Sequence, residues 1–173
     1  VRPVTLKTPG ARMVLFVSEF RPDSCVVAEV RPSPNHGERK DKMKPDMLVL
    51  HYTGMSSAQD AVQRLTTESS KVSSHYIVLE DGHIIQCVAE SLRAWHAGES
   101  SWSGATDLNS HSIGIEIANP GHDYGYPEFP RRQIAAVTAL CRSIFTRHRI
   151  PADRVVAHSD IAPSRKKDPG EKF

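Results

Sequence analysis

Apolar residues run almost without interruption from Met47 through Leu50, and the segment closes with His51, Tyr52 and the turn pair Thr53-Gly54. A run this short and this apolar, ended by a turn signal, predicts a strand buried on both faces, with His51 at its C-terminal end. The period then changes. Ala58, Ala61, Val62 and Leu65 recur at the i, i+3, i+4, i+7 spacing of one helical face, and Ser56 or Ser57 stands where an N-cap belongs. His75 to Leu79 and His83 to Val88 are two β-rich runs on either side of Asp81-Gly82, which predicts a hairpin. Ser112 to Ala118 alternates strictly, with Ile113, Ile115 and Ile117 on one face and Ser112, Gly114, Glu116 and Ala118 on the other. From Arg131 to about His148 an apolar stripe passes through Ile134, Val137, Leu140, Cys141, Ile144 and Phe145, with Pro130 before it and Pro151 beyond it, and predicts the longest helix. Val155 to Ala157 reads as a short strand that leads into a Pro-rich loop ending at Phe173.

The first part of the chain is less regular. Met13 to Val17 and Cys25 to Val30 are short β-like pieces, and Arg31 to Pro45, with Pro32, Pro34, Asn35 and Gly37, predicts a surface loop. Strands and helices interleave, so the predicted class is α/β: one domain over residues 31–173, with a central mixed sheet flanked by helices, after a lead-in over residues 1–30.

Composition narrows the function classes. A chain of 173 residues is long enough to bury a core of its own, and 39% hydrophobic with 24% charged residues is ordinary for a folded globular protein. A formal charge of +2, with Arg165-Lys166-Lys167 as the one dense basic run, argues against a nucleic-acid partner. No stretch reaches the ~20 apolar residues of a membrane span, and Met13 to Val17 is too short for a signal-peptide core, so export is not expected. The chain opens on Val1, which leaves a removed leader and a start at Met13 both open. Cys25, Cys87 and Cys141 are far apart and odd in number, which predicts reduced, buried thiols and neither a disulfide framework nor a thiolate metal site.

Nine histidines raise the question of a metal, and most have no matching partner: His36, His83, His111, His122 and His148 fall in loops, in the hairpin or at a helix end. His51 and His158 differ, because each closes a short apolar strand and neighbouring strands can deliver side chains to one point. Asp168 follows His158 by ten residues, just before Pro169-Gly170, on a segment that Pro163 and Pro169 favour as a fixed loop. Two imidazoles and a carboxylate make a three-ligand zinc site with an open fourth position, the catalytic pattern. Zinc so held lowers the pKa of its water to about 7 and polarises a carbonyl, as amide hydrolysis near neutral pH requires. Triples of this kind also arise by chance in a chain with nine histidines.

Context adds to it. Leu50-His-Tyr-Thr-Gly54, Ser74-His-Tyr76, Ala94-Trp-His-Ala-Gly98, Asp107-Leu-Asn109 with Ile113-Gly-Ile-Glu-Ile117, and Ala157-His-Ser-Asp160 through Lys166-Lys-Asp-Pro-Gly170 resemble, in order, the N-acetylmuramoyl-L-alanine amidases of the type-2 amidase group. That group also includes T7-type phage lysozyme and the peptidoglycan-recognition proteins. The resemblance runs from about Pro32 to the last residue. It implies a zinc enzyme that cleaves the amide between N-acetylmuramic acid and the L-alanine of the stem peptide, with a muropeptide or peptidoglycan as its partner. His51, His158 and Asp168 match the zinc ligands, Glu116 the acid/base residue and Lys166 a cation beside the developing oxyanion. His75, Trp95, His96 and Asn109 stand as candidate substrate-binding residues. Arg31-Pro-Ser-Pro-Asn35 resembles the cytoplasmic enzymes that recycle 1,6-anhydro-muropeptides, whereas His51-Tyr-Thr-Gly54 looks more like envelope amidases of intact wall. The expectation is therefore a cytoplasmic recycling enzyme, with an envelope amidase, a non-catalytic recognition module or a structural zinc domain as alternatives.

Overall fold

A computed structural model describes residues 20–173. In chain order the elements are β1 (Glu29–Val30), β2 (His36–Glu38), β3 (Met47–Tyr52), α1 (Ala58–Thr66), β4 (Tyr76–Val78), β5 (Ile84–Gln86), β6 (Leu92–Ala94), α2 (Leu108–His111), β7 (Ser112–Ile117), α3 (Arg131–Arg147), β8 (Val155–Ala157) and α4 (His158–Ile161), with short 3-10 turns between some of them. Six strands form the main sheet in the order β1-β5-β4-β7-β3-β8, and β2 pairs with β6 in a small separate sheet. β4 and β5 are the antiparallel hairpin and the other main-sheet pairs are parallel, so the sheet is mixed as expected. β3 lies between β7 and β8, which is why its sequence is a nearly unbroken apolar run.

Local chemistry explains several boundaries. The Ser57 hydroxyl accepts the Asp60 N–H at 3.1 Å and caps α1. Asp81 turns the hairpin by accepting the His83 N–H at 2.8 Å, while Gly82 takes a φ of +88° that a residue with a Cβ rarely adopts.

The strict alternation of β7 sorts the sheet into two faces. Ile113, Ile115 and Ile117 join Leu48, Tyr76, Val78 and Ile84 on one face, which α3 covers with Val137, Leu140 and Ile144. The opposite face is covered in two patches. Val62 and Leu65 of α1 pack on Ile77 and Ile85, whereas Leu108 and Ile161 pack on Met47, Val49 and Val156. Between these patches the C-terminal ends of β3 and β7 are left uncovered, and side chains from parallel strands converge there. Leu140 is fully buried in the larger core, so Leu140→Ala should cost about 2–5 kcal/mol, read as a lower urea midpoint at unchanged slope.

Several expectations need correction. The predicted loop Arg31 to Pro45 contains β2, whose partner β6 lies far along the chain, so local turn residues concealed a tertiary pairing. Cys25 to Val30 yields only the two-residue β1, which nevertheless hydrogen-bonds to β5 at the sheet edge within the expected lead-in. The piece Met13 to Val17 lies outside the described residues. After Ala157 the chain enters α4 before any loop, held by the Asp160 carboxylate accepting the Ala157 N–H at 2.8 Å. Cys87 is buried and Cys141 partly so, but Cys25 is exposed; all three are free.

Candidate metal centre

His51 ends the buried part of β3, His158 opens α4 directly after β8, and Asp168 comes back on the loop that follows. All three are buried. Their inward atoms meet at one point: His51 Nδ1 lies 2.8 Å from His158 Nδ1 and 3.2 Å from Asp168 Oδ2, and His158 Nδ1 lies 3.0 Å from the same oxygen. Ligands about 2.0 Å from a tetrahedral zinc lie roughly 3.3 Å from one another, close to this triangle. Burial pushes the His51 imidazolium down to about 4 against the pull of Asp168, so the ring is neutral at pH 7, as a metal ligand must be. Burial alone would raise the Asp168 carboxyl, but hydrogen bonds from His158 and His51 outweigh it and keep the group ionised. Two imidazoles and a carboxylate in this arrangement can hold a metal ion.

The loop that carries Asp168 is tied at both ends. The Asp168 carbonyl accepts the Ser159 N–H at 2.9 Å. Tyr126 donates its hydroxyl to the Pro169 carbonyl at 2.7 Å and accepts the Lys172 N–H at 3.0 Å. Tyr126 was not legible as a site residue in the sequence, because it reaches the loop only through the fold.

Around the triangle opens a cleft of about 560 Å³, lined among others by Tyr52, Arg64, Trp95, His96, Glu116, His122, Lys166 and Lys167. Glu116 points into it from β7 and stands opposite His51 in the parallel ladder. One of its carboxylate oxygens is sealed from solvent without a hydrogen-bond partner. Burial and the Asp168 charge push its pKa up to about 8, and Lys166 pulls the other way. Lys166 is half-buried at the cleft and Lys167 exposed.

The candidate substrate residues divide. Trp95 and His96 line the cleft. His75 is fully buried elsewhere: its Nδ1 accepts the Gly114 N–H at 3.0 Å and its Nε2 lies 3.0 Å from the Leu92 carbonyl. Asn109 lies behind the wall, where its side-chain oxygen accepts the N–H groups of His96 at 3.0 Å and Ala97 at 2.8 Å. His122, which lacks a partner in the sequence pattern, lies at the cleft with its Nδ1 3.0 Å from the Tyr52 hydroxyl.

A mixed α/β sheet with a three-donor metal-type site in a cleft at parallel strand ends defines the class of this protein. Residues 41–171 match the family model described as N-acetylmuramoyl-L-alanine amidase, and the chain belongs to that family. It is 44% identical over 140 residues to the N-acetylmuramoyl-L-alanine amidase AmiD of Escherichia coli, covering 73% of this chain and 49% of that one. It is 35% identical over 172 residues to the 1,6-anhydro-N-acetylmuramyl-L-alanine amidase AmpD of Salmonella typhimurium, covering 88% and 89%. The chain thus spans about half the length of the first relative and most of the second. The crystal structure of a selenomethionine AmpD derivative superposes with a TM-score of 0.75 at 30% identity, covering 92% of this chain and 94% of that one.

Proposed function

We propose that this protein is a zinc-dependent amidase that hydrolyses the bond between 1,6-anhydro-N-acetylmuramic acid and the L-alanine of the stem peptide. The observation that carries the proposal is that a buried two-imidazole, one-carboxylate group and a carboxyl with one sealed, partner-free oxygen meet in one cleft, His51 and Glu116 arriving from adjacent strands. His51, His158 and Asp168 would hold the zinc, which supplies a Lewis acid able to polarise a carbonyl and acidify water. Glu116 faces the cleft from the strand beside His51 and is placed to take a proton from the attacking water and return it to the leaving L-alanine nitrogen. Lys166 sets a positive charge where the carbonyl oxygen of the scissile amide becomes negative. Trp95 offers the cleft a half-buried aromatic wall.

The AmpD relative, matched over most of both chains and named for the 1,6-anhydro-N-acetylmuramyl-L-alanine bond, supports the anhydro sugar as the substrate, and a soluble anhydro-muropeptide fits a recycling enzyme of the cytoplasm. The relative AmiD is named for the N-acetylmuramoyl-L-alanine bond without the anhydro sugar, which keeps intact wall as a second substrate and would place the work in the envelope. Incubating the protein with anhydromuramyl-tripeptide and with sacculi, each with and without chelator, separates the two. Chelator-sensitive peptide release from the soluble fragment is expected. Faster release from sacculi would reverse the substrate assignment, and no release from either, with zinc bound, would overturn the enzyme in favour of a recognition module.

The Glu116 environment also predicts a pH dependence of stability in the zinc-free protein. The folded pKa, near 8, lies above the ordinary 4.5, so the protonated form favours folding; that contribution is complete below pH 4.5 and is lost as pH rises through 8. Glu116→Gln cannot ionise. In thermal or urea melts its stability relative to wild type should therefore rise between pH 5 and pH 8, by up to about 1.4 kcal/mol per pH unit. A constant difference would show that Glu116 ionises normally.

A further inference from the structure

Each of the two histidines of the triangle uses its Nδ1 inward, so what its Nε2 meets decides which tautomer it adopts. For His158 the answer is direct: Nε2 lies 3.2 Å from the Ala97 carbonyl, which can only accept, so the proton sits on Nε2 and Nδ1 keeps its lone pair. His51 has no carbonyl. Its Nε2 lies 3.0 Å from His96 Nδ1, another imidazole whose own tautomer must be known first.

The chain of contacts continues and ends on a group that fixes its direction. His96 Nε2 lies 3.1 Å from the Ser112 hydroxyl, and that hydroxyl lies 2.6 Å from the Leu108 carbonyl. A carbonyl oxygen has no proton to give, so Ser112 donates to it. With its only proton spent there, Ser112 accepts from His96 Nε2–H. With its proton on Nε2, the His96 imidazole presents a bare Nδ1, 3.0 Å from His51 Nε2, and accepts from His51 Nε2–H. His51 Nδ1 is left with its lone pair aimed at His158 and Asp168.

The surroundings give His96 this place and no other. Gly114 lies beneath the ring, and a Cβ at that position would come within 2.5 Å of it. Asn109 clamps the backbone N–H groups of His96 and Ala97, so one short segment braces His51 through a side chain and His158 through a carbonyl. Ser112, Gly114 and Glu116 share one face of β7: the first orders the relay, the second makes room for it and the third faces the cleft.

We infer that His96 and Ser112 are positioning residues: a relay from His51 through His96 and Ser112 to the Leu108 carbonyl locks His51 as the Nε2–H tautomer with Nδ1 free to bind a cation. The inference rests on the metal-site part of the proposed function, but its first readout needs no metal. In the zinc-free full chain labelled with nitrogen-15 at histidine, long-range proton–nitrogen spectra should show a pyrrole-type Nε2 and a pyridine-type Nδ1 for both His51 and His96. His96→Phe removes the acceptor, so His51 should become a mixture of tautomers. Its zinc dissociation constant, from competition with a chelator, should rise about 10–100-fold, the usual effect of losing an outer partner. His96→Asn returns an oxygen acceptor near the Nδ1 position and should restore most of the affinity and the single tautomer. Ser112→Ala, a smaller change that decides the matter if His96→Phe does not fold, should mix the His96 tautomers and weaken zinc in the same direction. A proton on His51 Nδ1 in the zinc-free wild type would overturn the relay, as would tautomers and zinc affinities unchanged in the variants. Wild type that shows the expected tautomers and binds no zinc would instead overturn the zinc reading and leave the relay standing.

Discussion

Glu116→Gln should lower kcat by about 10²–10⁴-fold, the range that a positioned acid or base contributes, and leave the fold and the bound zinc in place. Glutamine keeps the volume of the side chain. One Glu116 oxygen is buried without a hydrogen-bond partner, so the substitution breaks no polar contact there. What it removes is the ability to take and return a proton in the cleft. KM should stay within a few-fold, because that proton transfer belongs to the transition state. Steady-state kinetics on anhydromuramyl-tripeptide, with zinc content measured on the same preparation, checks both halves. A fall of less than about tenfold would place the acid/base chemistry elsewhere. Lys166→Met should also depress kcat, whereas Lys167→Met, an exposed change, should not.

Asp168→Asn should remove zinc and with it both turnover and metal-dependent stability. Asp168 is the one anionic donor of the triangle, 3.0 Å from His158 Nδ1 and 3.2 Å from His51 Nδ1, and no other carboxylate lies in that group. Losing it should weaken zinc by more than the roughly 10–100-fold that outer-shell changes cost. Wild type with zinc at about 1,000 times its dissociation constant gains about 4 kcal/mol of stability by mass action. The variant should gain almost none at the same zinc concentration, and its melting temperature should coincide with and without chelator. Equal zinc-induced shifts in the two proteins would show that the metal sits elsewhere.

The parts of the fold visible in the sequence were those in which a local period coincides with a tertiary face. β3 could be recognised because a strand flanked on both sides is apolar throughout, β7 because its alternation survives with one face under α3, and the hairpin because Asp81-Gly82 dictates its own turn. β2 and β6 could not, since each is three residues long and is made by its distant partner. The triangle drew its weight from the motif order: hydrophobic periodicity placed both His51 and His158 at strand ends, whereas His158 is the first residue of α4, one past the end of β8. His96, Asn109 and Ser112 show a different limit. Residue type suggested substrate contacts for the first two, and only the backbone geometry shows that the Asn109 side-chain oxygen holds the His96–Ala97 segment. Ser112 carried no signal beyond its place on the polar face of β7.

The opposition of His51 and Glu116 across the β3–β7 ladder has a further consequence. Hydrogen-bonded strands lie about 4.7–4.9 Å apart whatever the loops around them do, so the backbone distance between His51 and Glu116 is a property of the sheet. Insertions in the segment that carries His122 can reshape what the cleft admits without altering that distance. A shift of one residue along the ladder would replace Glu116 by Ile115 or Ile117 and turn the carboxyl toward the core. The spacing of His51 and Glu116 is therefore written in the sheet and the rim at His122 in a loop, and the second can diverge while the first is held constant.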